Sequence, residues 1–204
     1  MDRLDDLLHA ARPLLSKVDD MLSSVGAPAG HGVWDELRRV RLLPGDAARA
    51  VAALRPSALG DAGAELRAEA RACVQVAAGL PPPQQWTGEA AEAYEQVRGR
   101  LAHQLSGGDE SLDERLQATA DLAEALREWM EQTRGEVAAA LASALSSGEA
   151  ITLATGGWPV PPPHAEVLAA ADIAAHLLQV VADNYDNAAD LIRGSSGLAS
   201  EVPM

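Results

Sequence analysis

The chain has 204 residues, with 48% hydrophobic side chains, 3% aromatics, no phenylalanine and a formal net charge of −14. So acidic a surface repels phosphate backbones and disfavours charge-driven docking on anionic membranes, which argues against nucleic-acid binding. Alanine supplies much of the apolar content, so the core must be Leu, Val, Ala and a few Trp; that composition fits an all-α bundle and not a β-sandwich.

Residues 2–25 read as a first amphipathic helix, with Leu4, Leu7, Leu8, Ala11, Leu15, Val18, Leu22 and Val25 recurring at helical steps. Pro13 should kink or restart it, because an interior proline loses a ladder bond. GAPAGHG at 26–32 is a loop, and short helices follow at 33–42 and 45–54, separated by Pro44 and closed by Pro56. A clearer helix spans about 60–79, with Leu59, Ala62, Leu66, Cys73, Ala77 and Leu80 on its apolar face. That face makes Cys73, the single cysteine, a buried structural thiol, and no internal disulfide is possible.

The next helix begins at Thr87 or Gly88 and runs to Leu105, on a stripe of Trp86, Ala90, Ala93, Val97, Leu101 and Leu105. SGGDES at 106–111 is either a break or a local unwinding. Beyond it, Leu112, Leu116, Thr119, Ala123, Leu126, Met130, Thr133, Val137, Ala140 and Ala144 alternate steps of four and three. A 3.5-residue period marks a helix packed lengthwise on its partners, and 111–146 would be a rod of roughly 50 Å. ITLAT at 151–155 is too short to build a strand on, and ATGGWPVPPPH at 154–164 is an irregular connection. The last helix, about 165–193, carries Val167, Ala170, Ala174, Leu177, Val181, Asn184, Ala188 and Leu191 on one stripe. The expected organisation is an N-terminal helical lead (1–58), an elongated antiparallel helical bundle (59–193) and a flexible tail (194–204).

Catalytic and metal signatures are missing from the pattern. His9, His31, His103, His164 and His176 form no metal-ligand pair on one helix; Asp172 and His176 face each other but need further ligands. No phosphate-binding loop, dinucleotide fingerprint or nucleophile elbow occurs. GDESLDE at 108–114 lacks the alternation of a calcium loop and reads as a charged helix start. The reading is a non-enzymatic chain with no cofactor and no metal. MDRLDDLL is not a secretory leader, and no apolar run reaches the roughly 20 residues that span a bilayer, so a chain without a cleavable signal peptide is expected.

PPPQQWTGEAAEAY at 81–94 is the stretch that stands apart. Three prolines stop one helix, Thr87 can cap the next, and Gly88 permits backbone closed to other residues. Trp86 at such a turn is either a hydrophobic plug or a recognition feature. The Trp86-Thr87-Gly88 turn between two helices, followed by Ala90, Ala91, Ala93 and Tyr94 in an acidic helical chain, resembles the WXG family. These are early-secreted-antigen-like helical hairpins exported by type VII secretion. The resemblance covers residues 60–105 most specifically.

It implies an antiparallel hairpin packed through Thr87, Tyr94, Val97 and Leu101. Such hairpins pair with a second helical protein, as a homo-oligomer or a heterodimer with a WXG-like partner, and are read by a secretion ATPase. It also implies that Trp86 and Gly88 form half of a composite export signal. The other half in the family is a tyrosine followed four residues later by an acid. Here Tyr185 is followed by Ala189 at that distance, and the acid arrives at Asp190. The implied function is an exported substrate, or partner of one, acting by protein–protein interaction and secreted without a cleavable signal peptide. Two alternatives stand beside it: a cytoplasmic helical adaptor or chaperone, and a membrane-active helical effector.

Overall fold

The computed structural model describes residues 2–85, 87–155 and 162–196, and every regular element among them is helical. In chain order these are α1 (Arg3–Ser24), α2 (Val33–Val40), α3 (Pro44–Ala52), a 3-10 turn (Pro56–Leu59), α4 (Ala62–Gly79), α5 (Glu89–Leu105), α6 (Leu112–Leu145), α7 (Gly148–Thr155) and α8 (His164–Ser196). The all-α expectation is met. The 106–111 segment is a true break, and α7 is a helix that the sequence pattern does not announce. Trp158 and the rest of 156–161 lie outside the described residues, as does 197–204, which holds most of the expected tail.

Contacts divide the chain into two units: Met1–Arg55 with Trp129–Ala189, and Pro56–Glu128 with Asp190–Met204. The first crossing, at 55/56, falls near the sequence-based boundary at 58. The other two fall inside α6 and α8, where no proline, glycine or composition shift announces them.

Unit 1 holds a conventional core. Leu4, Leu15, Val18 and Met21 of α1 meet Val33, Ala47, Ala48 and Val51, and close against Val137 and Leu141 of α6 and Leu177, Leu178 and Val181 of α8. The α1 start is fixed by a capping box: Asp2 accepts from the amides of Leu4 and Asp5, and Asp5 accepts from the Asp2 amide. Pro13 is accommodated inside α1, which continues as one helix on both sides of it. Gly45 is where α3 meets α1. Its amide donates to Asp19 Oδ1 at 3.1 Å, and a Cβ there would fall on the Asp19 carboxylate.

Arg134, 8% exposed, joins three elements of the same unit. Its guanidinium donates to Asp2 and to the carbonyls of Ala52 and Leu54 at the end of α3. A cation there meets the negative end of the α3 dipole. The predicted stripe of α8 is buried from Val167 to Ala188, with Leu191 half-buried; that of α6 is buried from Thr133 onward.

α8 bears on one sequence expectation. It is long and apolar enough to cross a membrane, with a window of mean hydropathy 1.5, but 61% of that window is buried, as in a core helix, which passes the same test. Glu166, Asp172, His176 and Gln179 interrupt the stretch, so no continuous apolar run of that length occurs.

Unit 2 is built differently. Among its described residues the buried apolar ones are Ala70, Ala91 and Ala120, and Gly63 lies where a Cβ would come within 3.0 Å of Glu124. Small residues let helices approach closely but bury little apolar area per contact. Polar clips join them: Arg67 of α4 donates to Asp121 at 2.7 Å and to Glu124 of α6 at 2.9 Å. At the α6 start, the Asp113 carboxylate accepts from Ser106 Oγ at 2.6 Å and Ser111 Oγ at 2.5 Å. Cys73 is half-buried here and not a core residue, because the α4 face it occupies is only partly covered.

Candidate interaction site

The turn between α4 and α5 lies in unit 2. Helix α4 ends at Leu80 in extended geometry (φ −61°, ψ 122°), as the following prolines require. Gln84 takes a left-handed φ of 52°, and Gly88 has φ 90° with ψ −173°, a region open essentially to glycine alone. Gly88, not Thr87, is the residue that starts α5: its carbonyl accepts from Ala91 and Glu92, no side chain caps the helix, and Thr87 is exposed. The expected Thr87 cap is therefore corrected. Trp86 lies outside the described residues, so its plug and recognition readings stay as proposals.

Tyr94 returns to the turn, its hydroxyl donating to the Pro81 carbonyl at 2.8 Å. That places the Tyr94 side of α5 against α4, with which α5 is in contact. The buried face of α5 consists of Ala91 with half-buried Tyr94, Arg98, Ala102 and Leu105. The sequence-based stripe is rotated from it: Ala90 and Ala93 are exposed, Val97 is 54% exposed and Leu101 43%. Val97 and Leu101 thus do not pack the hairpin. Reading the stripe by apolarity alone misplaces it, since Tyr94 and Arg98 cover the interface with their ring and stem while the aliphatic pair faces outward.

The second predicted half-site lies on α8. Tyr185 is 41% exposed and its ring meets Trp129 of α6 edge-on, with centroids 5.8 Å apart. Its acidic neighbours are already engaged. Arg39 of α2 donates to Asp183 at 2.9 Å and Asp186 at 2.7 Å, while also holding Glu36. The hydrogen bonds from the guanidinium to Asp186 and Asp183 hold its pKa above the usual value. Asp190 belongs to unit 2 and pairs with Arg193 at 2.7 Å. Asp186 and Asp190 therefore do not form one open acidic face; each is committed to its own arginine.

Sequence reasoning missed the polar network beneath Tyr185. Asn184 is 2% exposed; it accepts from Thr133 Oγ1 at 2.9 Å and donates to Glu136 Oε2 at 2.7 Å and the Val180 carbonyl at 2.9 Å. Trp129 Nε1 donates to the Asn184 carbonyl at 2.7 Å. The signal was present, since Asn184 and Thr133 both sit on apolar stripes, where a polar side chain needs a partner. Buried polar groups at helix seams fix register more than they add stability.

These groups can bind and align helices, but they hold no nucleophile beside a base. Asp172 accepts from or pairs with His31 Nε2 at 3.0 Å, and no three metal-ligating side chains converge among the described residues. Comparison with family models, curated proteins and solved structures gave no match in any of the three.

Proposed function

We propose that this chain is a non-enzymatic helical protein of the type VII secretion class, either an exported substrate or the partner of one. In this reading α4 and α5 act as an antiparallel hairpin, and the Trp86-Thr87-Gly88 turn with Tyr185 and Asp190 supplies export or partner recognition. The observation that carries it is the exposed α5 face. Ala90, Ala93, Val97 and Leu101 lie in one helical row on a unit whose buried apolar residues, among those described, are alanines. Such a face is completed by another helix, from a second copy or a WXG-like partner, with a secretion ATPase as the reader of the assembled signal. Export without a cleavable signal peptide follows from this reading; a cytoplasmic adaptor is what remains if the turn is only a turn.

Co-expression with helical proteins encoded beside it tests the proposal. Val97→Glu with Leu101→Glu should leave helicity and melting nearly unchanged, because both sites are exposed, while abolishing complex formation. Trp86→Ala should block export of a complex that still forms. Binding unaffected by the double glutamate variant would remove α5 as the interface and the ground for this function.

A further inference from the structure

We propose that the outward face of α2 is a docking surface for an acidic peptide segment that carries an apolar anchor residue. Between Leu37 and Ala50 four arginines stand against a single acid, Asp46, in a chain whose net charge is −14. Trp34, Arg38 and Arg41 follow one another along α2 and its closing residue at steps of four and three, which share one side of a helix, and all three are exposed. Arg39 has a different task. Glu36, Asp183 and Asp186 hold it, and so it fixes α2 to α8. One arginine is committed within the fold, and two are presented beside an indole.

The outward residues are prepared for contact. Trp34 keeps 37% of its surface open, yet its ring is fixed. Its indole N–H donates to the Pro28 carbonyl at 3.1 Å, and a Cβ on Gly26 would touch its ring at 3.4 Å. An aromatic already held in place loses little freedom on binding. Val25 and Leu42, both exposed, add apolar surface at the two approaches to α2. Arg38 pairs with its neighbour Asp35, their side chains 73% and 70% exposed, and so open a pair exchanges partners at little cost. Arg41 makes no ion pair among the described residues. Its backbone is left-handed, φ 59° and ψ 25°, where a helix end ordinarily places glycine. An arginine kept in strained backbone with no carboxylate of its own to hold points to a use outside the chain.

The chemistry of the face selects its partner. A guanidinium takes a carboxylate through paired N–H donors, and Trp and Arg are the residue types that carry most energy at interfaces. A segment with a Leu or aromatic side chain beside its acids satisfies both halves. Nucleic acid fits less well. Its phosphates bring a charge about every 3.4 Å of strand, and most of them would meet the chain's own acids. A short acidic segment places its carboxylates at the arginines alone. This surface lies in unit 1 and stands whether or not α5 of unit 2 binds a partner.

The test probes an array of short synthetic peptides with the full chain. Acidic, neutral and basic backgrounds each occur with and without a central Leu or Trp. Acidic peptides with the apolar centre should bind best. By fluorescence anisotropy, the best of these should bind the Arg38→Glu, Arg41→Glu variant at least about tenfold more weakly, the loss expected for a charge-assisted contact. Arg41→Gly separates recognition from folding. It relieves the left-handed backbone, so it should melt no lower than the parent and still bind about tenfold more weakly. Binding that ignores the peptide's charge or its apolar centre overturns the proposal, as does binding unchanged in both arginine variants. A single-stranded DNA oligomer held as tightly as the best peptide overturns it too. So does a parent oligomer that the double variant dissociates, which would assign the face to a second copy of the chain.

Discussion

The seam between α6 and α8 in unit 1 gives a quantitative test of the polar network. Thr133→Val keeps shape but removes the hydroxyl that donates to Asn184 Oδ1, on a residue 2% exposed. An acceptor left buried without a donor costs about 2 kcal/mol. Asn184→Leu is milder. Glu136 is exposed and recovers its lost bond from water, and the Thr133 hydroxyl, itself fully buried, can turn to the carbonyl one turn earlier. About 1 kcal/mol is expected for that change. The double variant replaces both partners with apolar groups and should also cost only about 1 kcal/mol, so the two changes couple by about 2 kcal/mol. Urea denaturation followed by far-UV circular dichroism reads this. At a slope of about 2 kcal/mol/M, Thr133→Val lowers the midpoint by about 1 M, and adding Asn184→Leu restores about half of it. Additivity within about 0.4 kcal/mol would refute the network as a coupled unit.

Two further outcomes follow from unit 2. Gly88→Ala should destabilise the turn by about 1–2 kcal/mol through backbone strain alone, since a Cβ there meets nothing within 4 Å; local hydrogen exchange in α5 reads it, and unchanged protection would remove the strain argument. Hydrogen bonds from the Ser106 and Ser111 hydroxyls, helped by backbone amides, outweigh burial at Asp113 and hold its carboxyl below the usual Asp value. A depressed carboxyl stabilises the fold above its unfolded value and loses that contribution as pH falls through the folded one. Asp113→Asn should therefore flatten the acid limb of unit 2 stability, measured as protection of α6 amides against pH; an equally steep limb would mean the hydroxyls do not stabilise the charge.

The legible parts of this fold are those where one physical term dominates. The stripe of α8 and the second half of that of α6 are correct to the residue, because in unit 1 apolar burial decides which face turns inward. The α1 boundary is readable as well, and the capping box at Asp2 and Asp5 is the local chemistry that fixes it. The α5 stripe fails because unit 2 buries alanines and is clipped by Arg67, so Val97 and Leu101 are poor guides to its inner face. Thr87 misleads as a cap for a related reason: a left-handed glycine can start a helix with its own carbonyl, and sequence does not display φ.

The candidate site is legible as positions and not as commitments. Tyr185 lies beside the α8 stripe and stays half-open, as its spacing requires, yet Asp186 and Asp190 are each held by an arginine. One of these partners, Arg39, lies 147 residues away from Asp186 in sequence, and no local pattern encodes that pairing. In a chain with 30 acids and 16 Lys and Arg, every base has several possible partners, so sequence cannot say which carboxylates are left over. That distinction matters to function more than the helix boundaries do. A carboxylate open to solvent can meet a cationic receptor directly, whereas one clipped to Arg39 must first be released. Recognition through Asp186 would therefore be coupled to undocking of α2, while recognition through exposed Val97 and Leu101 needs no rearrangement. Under the proposed function, the α5 face is for that reason the surface on which a partner would act first.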